Sequence, residues 1–297
     1  MNGKIGIIVV TYNRLTLLKE VIASLRNQTN KDGVIIVVNN GSTDGTAEWL
    51  GQQDDIVVVS QENVGGAGGF NAGIRFAVEK GCDYCWIMDD DVICQENALD
   101  ELVSAYHAKP NIGFVCSKVV GIDGCPMNTP VVDNRGSSNG YADYVDLVDK
   151  AMIKVKNATF VSVFFSSTIV RELGLPYKEY FIWGDDYEYT FRISTKYDSY
   201  MACKSLVTHK RSIQKALSFD EENDPRRIKN YFYKFRNESY NHLKEYNLGF
   251  KGRMKQCMNH FFSFLSSLIR LKFRKSMVYL RVSKALVCFN PQVEFPK

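Results

Sequence analysis

The sequence predicts an α/β protein built on a mainly parallel sheet and followed by a basic helical region. Three observations lead there. Short β-branched runs alternate with helical patterns through the first 120 residues, the signature of successive βαβ units. Three of the strand-like runs end in polar, ligand-type residues: Thr11, Asn39 and the aspartates that begin at Asp89. The charge then changes sharply at Pro225, from an acidic body to a basic tail.

Residues 4–10 read as the first strand. A helix follows over 15–28, with Leu15, Leu18, Val21, Ile22 and Leu25 at three- and four-residue spacing and Asn13 placed to cap it. Residues 34–38 form the second strand and run into Asn-Asn-Gly-Ser-Thr-Asp-Gly, a turn leading to a short helix from Thr46. The third strand is 56–60, after which a glycine-rich stretch from Asn63 to Phe70 opens a helix reaching Lys80. The fourth strand, 84–88, delivers Asp89, Asp90 and Asp91 at its C-terminal end, ahead of a helix over 95–107. In an open parallel sheet the ligand crevice lies at the C-terminal ends of the strands, so Thr11, Asn39 and Asp89 are expected to converge there.

From 113 to 150 the pattern loosens into one strand-like stretch and a polar loop long enough to suggest function. Residues 160–170 read as a strand passing into a helix. The segment 180–193 carries Trp183-Gly184-Asp185-Asp186-Tyr187-Glu188, and 199–209 reads as a strand ending in His209. Two parts follow for the 297 residues: 1–224 as an α/β body with a ligand crevice and 225–297 as a basic helical region.

With 45% hydrophobic and 24% charged residues the chain has the material for a globular core, which excludes disordered and collagen-like classes. Residues 225–297 carry 16 Lys/Arg against 3 Asp/Glu, whereas the rest of the chain carries 21 against 30. Such asymmetry points to an anionic surface, membrane or nucleic acid. Phe261, Phe262, Leu265, Leu268 and Ile269 stand beside Arg270, Lys272, Arg274 and Lys275, the composition of a helix lying in a bilayer interface. A bundle packing on the body, or on a second copy in a homo-oligomer, fits the same composition. No apolar run reaches the roughly 18 to 20 residues that span a bilayer.

Eight cysteines show no disulfide-framework spacing and the N-terminus no signal-peptide pattern, so a reducing, cytoplasmic setting is expected. Cys82 and Cys85 form one CxxC with no second pair to complete a zinc site, and read as ordinary thiols.

Three adjacent aspartates at a strand end repel one another and raise one another's pKa, a cost that a divalent cation relieves. Oxygen ligands suit Mg²⁺ or Mn²⁺, which can also take up charge on a phosphate leaving group. A solvated turn with capping aspartates is the bland alternative. Gly65, Gly66, Gly68 and Gly69 at a helix N-terminus favour a phosphate, although their spacing is neither that of a P-loop nor of a dinucleotide fingerprint. Arg75, farther along the same helix, faces either solvent or a diphosphate. Asp185 or Asp186 can act as general base toward a hydroxyl, or simply cap the helix that follows. His209 is either a further metal ligand or a surface histidine at a strand end.

Taken in order, residues 7–14, 39–45, 63–70, 88–91 and 183–188 resemble the family 2 glycosyltransferases of GT-A fold. With Tyr233-Lys234-Phe235-Arg236-Asn237 added, the chain looks most like the bacterial galactofuranosyl- and rhamnosyltransferase-like branch. The resemblance implies inverting transfer from a UDP- or dTDP-sugar. It sets Thr11, Asn13, Arg14, Asn39 and Asp89 near the nucleotide sugar, where the residue chemistry also puts Gly65, Gly66, Arg75 and Asp90, and it sets Asp91, Asp89 and His209 about Mn²⁺ or Mg²⁺. It makes Asp186 the catalytic base with Asp185 as fallback, and sets Phe164, Phe165, Trp183 and Glu188 about the acceptor. Many members carry Asp at the position of Asn39; Asn keeps a carbonyl acceptor but also donates, which leaves the choice of pyrimidine open.

The expected function is transfer of a hexosyl group, with UDP-galactofuranose as leading donor and dTDP-rhamnose as runner-up. The acceptor is a glycan or lipid-linked glycan of a bacterial surface polysaccharide, met at the cytoplasmic face of the membrane, with no nucleic acid involved. The rival class is a non-catalytic glycan- or nucleic-acid-binding module, for which the basic tail speaks. The pairing of a DxD run with a separate candidate base speaks against it.

Overall fold

The computed structural model describes residues 3–211 and 218–297. The chain forms two compact units, one of Met1–Lys178, Asp186–Ser212 and Val293–Lys297, the other of Glu179–Asp185 and Ile213–Gln292.

In the first unit the elements follow the chain as β1 (Ile5–Thr11), α1 (Leu15–Arg26), β2 (Gly33–Asn39), α2 (Thr46–Leu50), β3 (Ile56–Ser60), α3 (Gly65–Glu79), β4 (Tyr84–Asp89) and β5 (Val92–Cys94). Then come α4 (Ala98–Tyr106), β6 (Ile112–Val120), β7 (Val131–Val132), β8 (Met152–Asn157), β9 (Val163–Ser166), α5 (Ser167–Leu173), α6 (Asp185–Ser194) and β10 (Asp198–His209). The sheet order is β3-β2-β1-β4-β9-β6-β10-β8-β7, with β5 paired to β10. β3, β2, β1 and β4 are mutually parallel. β9 runs antiparallel to both its neighbours. This is the α/β fold with a mostly parallel sheet that the alternating pattern predicts.

Central parallel strands are buried on both faces, which is why β1 reads as a continuous apolar run. Ile5, Ile7 and Val9 point into one core with Leu18, Val21, Ile22 and Leu25 of α1, while Ile8 and Val10 join Phe70, Ile74 and Ala77 of α3 in the other. Glycine lets α3 lie close on β1: a Cβ on Gly69 would come within 2.4 Å of Val10. The parallel register sets Thr11 beside Asn39 and Val10 beside Asp89, so the three strand ends converge at one edge as expected.

One local expectation is corrected. Asn13 does not cap α1; it adopts φ +53°, and its side chain accepts from the Thr43 N–H at 2.7 Å, while Asp44 accepts the Leu15 N–H at 3.0 Å. Asparagine tolerates left-handed backbone, and a carboxylate from the neighbouring loop serves the helix end instead. The strand-like stretch expected from 113 is β6, whose even burial on both faces hides its period. Cys82 and Cys85 are free, buried thiols in the core around β4.

The second unit contains α7 (Pro225–Glu245), α8 (Phe250–Ile269) and α9 (Phe273–Leu286). Asp224 caps α7, accepting the Arg226 N–H at 2.8 Å, with Pro225 in the first helical turn, where a missing N–H costs nothing. Phe219, Ile228, Tyr231, Cys257, Val278, Val282 and Leu286 form its core. No described helix is long and apolar enough to cross a membrane.

Candidate active site

Asp89 closes β4, and the chain turns through Asp90 and Asp91 into the short strand β5. β5 pairs antiparallel with the end of β10, which puts Val92 opposite His209. The Lys210 N–H donates to the Asp91 carbonyl at 2.7 Å, so the histidine is fixed beside the aspartates by backbone pairing. Ligand atoms of Asp89, Asp91 and His209 all lie within 4.8 Å of one another.

The side chains share a strained charge balance. Asp91 Oδ2 accepts from Arg14 Nη1 at 2.7 Å. Its Oδ1 is buried without a hydrogen-bond partner, yet sits 3.1 Å from His209 Nε2. On the far side of the ring, His209 Nδ1 meets Asn128 Oδ1 at 2.9 Å. A carbonyl oxygen only accepts, so Nδ1 carries a proton there, and in a neutral imidazole Nε2 then turns a lone pair toward the carboxylate oxygen. That arrangement demands positive charge between Nε2 and Oδ1, either a proton or a metal ion.

Burial pushes Asp89 well above the usual carboxylate range, with Asp91 and Asp90 adding to the effect, Arg14 opposing it and Asp186 adding a further repulsion. Burial also pushes Asp90 up, to about 6, against the pull of Arg14. For Asp91 burial acts upward too, but His209 and Arg14 outweigh it and hold the group below the ordinary value. Two carboxylates and an imidazole with an orphaned buried oxygen fit a hard divalent cation such as Mn²⁺ or Mg²⁺. When bound, such an ion supplies positive charge to phosphate oxygens.

Asp90 is held by partners within the protein. Its Oδ2 accepts the Thr11 hydroxyl at 2.8 Å and the Tyr12 N–H at 3.4 Å, and its Oδ1 accepts from Arg14 at 3.2 Å. Asp90 and Thr11 thus tie the end of β1 to the aspartate turn. Asn39 is buried, and its Oδ1 accepts the Ser42 N–H at 3.0 Å, so the carbonyl expected to meet a base holds its own turn.

The next residue, which the sequence reading passed over, bridges to the glycine-rich loop. Asn40 Nδ2 donates to the Gly65 carbonyl at 2.9 Å, and its Oδ1 accepts from Gln61 at 2.9 Å. Asn63 Oδ1 takes the Gly65 N–H at 2.9 Å, while the Cα of Gly66 faces open space.

Arg75 is removed from this edge. It lies about 15 Å along α3 from Gly65 at 1.5 Å per residue, pairs with Glu294 at 2.7 Å and donates to the Phe295 carbonyl at 3.0 Å. The returning C-terminal segment thus engages the guanidinium expected to face either solvent or a diphosphate.

Asp185 and Asp186 open α6. Asp186 is half-buried, and its carbonyl accepts the Thr190 hydroxyl, which also accepts the Ala158 N–H at 3.0 Å. Its charge bears on Asp89, so the second acidic cluster shares the field of the first. Asp185 is buried.

The acceptor residues fare differently. Phe164 and Phe165 are 0% exposed, one in each core of the sheet, with Phe164 stacked on Tyr84 at 5.4 Å. Adjacent strand residues face opposite sides, and each ring packs into the core on its own side of the sheet. Glu188 makes a two-point pair with Arg192 at 2.9 and 2.8 Å, and Arg192 donates to the Leu173 and Leu175 carbonyls. Trp183 is half-buried against Tyr231, ring centroids 5.5 Å apart. Residues 212–217, beyond the end of β10, lie outside the described residues.

A model of the family described as Glycosyl transferase family 2 matches residues 6–168, more than half of the chain. The galactofuranosyltransferase GlfT1 of Mycobacterium tuberculosis is 27% identical over 197 residues, covering 63% of this chain and 64% of that protein, just under two thirds of its length. Among solved structures, GalNAc-T7 with UDP, GalNAc and Mn²⁺ superposes with a TM-score of 0.57 at 16% identity, covering 71% of this chain and 44% of that one. The mannosyltransferase PcManGT from Pyrobaculum calidifontis, in complex with GDP-Man and Mn²⁺, gives 0.55 at 16% identity over 97% of this chain and 88% of that one.

Proposed function

The chain belongs to glycosyl transferase family 2, with the GT-A fold, and on that premise we propose that it is a divalent-metal-dependent, inverting hexosyltransferase using UDP-galactofuranose. One observation carries the reading: Asp89, Asp91 and His209 come together around an orphaned carboxylate oxygen while Asp186 lies within electrostatic reach. Asp89, Asp91 and His209 are the residues to hold Mn²⁺ or Mg²⁺, which supplies charge to the diphosphate leaving group. Asp186 takes the proton of the acceptor hydroxyl as its oxygen attacks the anomeric carbon and the bond to the nucleotide diphosphate breaks. Arg14, Asn13, Asn39 and the glycine loop at Gly65 and Gly66 frame the nucleotide.

Galactofuranose is favoured by the GlfT1 likeness. dTDP-rhamnose is the second reading, because Asn39 stands where many members carry Asp. The acceptor is a lipid-linked or growing glycan of a surface polysaccharide, met at the cytoplasmic membrane face. In this reading residues 1–224 carry donor binding and catalysis, and 225–297 face the membrane.

Support for the membrane comes from α8. Phe250, Met254, Met258, Phe261, Leu265 and Leu268 recur every three or four residues and are exposed, joined by Phe262 and Ile269. Between Glu245 and Glu294 the chain contains no acidic residue, which suits an anionic bilayer surface.

The test is direct. Purified protein with Mn²⁺ is given UDP-galactofuranose or dTDP-rhamnose, and nucleotide diphosphate release is followed. Release from the first alone is expected; release from neither would sink the enzyme reading, leaving the binding-module alternative.

A further inference from the structure

The backbone that leads into the acidic pair Asp185-Asp186 is unusual. Phe181 and Trp183 take φ of +64° and +65°, and Gly184 takes +89°. Bulky L-residues rarely adopt left-handed backbone, and where they do the surroundings must hold them there. Gly184 cannot be replaced cheaply, since a Cβ would also come within 3.2 Å of Asn237.

What holds this loop is one face of α7. Asn237 is fully buried, and its Nδ2 group donates to the carbonyls of Tyr180 at 3.0 Å, Ile182 at 3.3 Å and Trp183 at 2.7 Å. Arg236 donates to the Glu179 carbonyl at 2.7 Å, and Asn241 to the Gly184 carbonyl at 2.9 Å. Asn237 is itself oriented, because its Oδ1 accepts from Arg236 Nε and Nη2 at 3.0 and 2.9 Å, which fixes the amide group toward the loop. Arg236 lies 3.8 Å over the Phe289 ring. Phe181 stacks on Tyr233 at 4.7 Å, and the Tyr180 hydroxyl donates to Asn241 Oδ1. Five of the six carbonyls from Glu179 to Gly184 therefore end on three side chains of a single helix.

We infer that Asn237, oriented by Arg236 and supported by Asn241, is a positioning residue that sets the backbone course into Asp185 and Asp186. Ordinary packing of a loop on a helix would not gather three carbonyls onto one dry amide, nor concentrate left-handed aromatic residues in the turn before a candidate base. The inference rests on the reading of Asp186 as that base and adds how its approach angle is held. It also gives a physical role to the Tyr-Lys-Phe-Arg-Asn run, which the donor site does not use.

The experiment compares Asn237→Asp with the unaltered full chain. Asp keeps the shape and the acceptor for Arg236 but loses both N–H donors. Nucleotide release is measured with Mn²⁺ and whichever of UDP-galactofuranose and dTDP-rhamnose the unaltered protein cleaves, with water as acceptor; Mn²⁺–UDP affinity is measured by calorimetry. The expected result is a kcat lower by about 100-fold, as a displacement near 1 Å produces, with donor KM and UDP affinity within about twofold of the unaltered protein. An unchanged kcat, or UDP affinity falling in step with kcat, overturns the inference.

Asn241→Ala frees the Gly184 carbonyl and removes the acceptor of the Tyr180 hydroxyl, while leaving the three Asn237 bonds in place, and is expected to lower kcat by a smaller factor, about tenfold; should N237D fail to fold, an unchanged kcat in N241A overturns the inference instead. Asp186→Asn separates the two readings. Full rate in D186N removes the base assignment and the inference with it, whereas loss in D186N beside full rate in N237D removes the clamp alone.

Discussion

His209 Nε2 faces Asp91 Oδ1 across 3.1 Å, and what belongs between them is set from behind the ring by Asn128. Asn128 sits in the loop after β6 at φ +48°, in a stretch anchored by the Met127 N–H on the Val119 carbonyl. Outer partners of this kind fix the tautomer of a metal-binding histidine, and losing one typically weakens metal binding by about 10- to 100-fold. Asn128→Ala is expected to lower Mn²⁺ affinity by that factor, and Asp91→Asn by more, read by electron paramagnetic resonance titration with UDP present. Unaltered Mn²⁺ affinity in N128A would remove Asn128 from the site.

The base assignment separates binding from chemistry. Asp186→Asn is expected to cut the transfer rate by about 10²- to 10⁴-fold, the range of general-base contributions, while Mn²⁺–UDP binding stays intact by calorimetry. Asp185→Asn is expected to cost less; the reverse order would move the base to Asp185.

Phe164 tests core against acceptor. Fully buried and stacked on Tyr84, it is expected to cost about 3–5 kcal/mol of stability on replacement by Ala, seen in denaturant unfolding. Phe164→Leu is expected to keep the acceptor KM. A raised KM in a stable F164L protein would return this ring to the acceptor.

On the second unit, Phe262 and Ile269 are 59% and 82% exposed on α8. Replacing either by Asp is expected to weaken binding to phosphatidylglycerol vesicles about tenfold or more, since one inserted side chain is worth roughly 1.5–3 kcal/mol. Sedimentation with vesicles at rising salt reads both contributions. Equal binding of F262D and the unaltered protein would argue against insertion of this face.

His260 makes stability depend on pH. Burial pushes its pKa down; its Nε2 meets Ser239 Oγ at 2.8 Å, and its ring packs beside the stacked pair Phe235 and Tyr279, its centroid 6.1 Å from each. Above about pH 6.5 the group is neutral folded or unfolded and costs nothing. As pH falls below that, the unfolded chain takes the proton first, so stability is lost toward the lower folded pKa, by at most about 1.4 kcal/mol per pH unit. The melting temperature is expected to fall between pH 7.5 and 5, less steeply in His260→Gln. Parallel curves would refute the assignment.

The α/β class, the strand ends and the candidate cation site were legible because they are written locally. Period-2 and period-3.6 apolar patterns lie within single elements, and three adjacent acids carry a mutual repulsion that a cation relieves. Thr11, Asn39 and Asp89 converge as parallel pairing requires. Asn128 left no comparable signal, since a lone asparagine in a polar loop looks like turn chemistry, and Asn40 was hidden beside the more suggestive Asn39.

Only the tertiary structure decided which side chains are free for a ligand. Asp90 is taken by Thr11, Tyr12 and Arg14, and Arg75 by Glu294, because a charged group settles on whichever partner the fold brings within reach. Phe164 and Phe165 are closed off because each packs into the core on its own side of the sheet. The sequence by itself determined the kinds of groups and the elements that carry them. Their availability depended on long-range pairing, such as that of β5 with β10, which sets Asp91 against His209 through backbone hydrogen bonds that carry no side-chain signature.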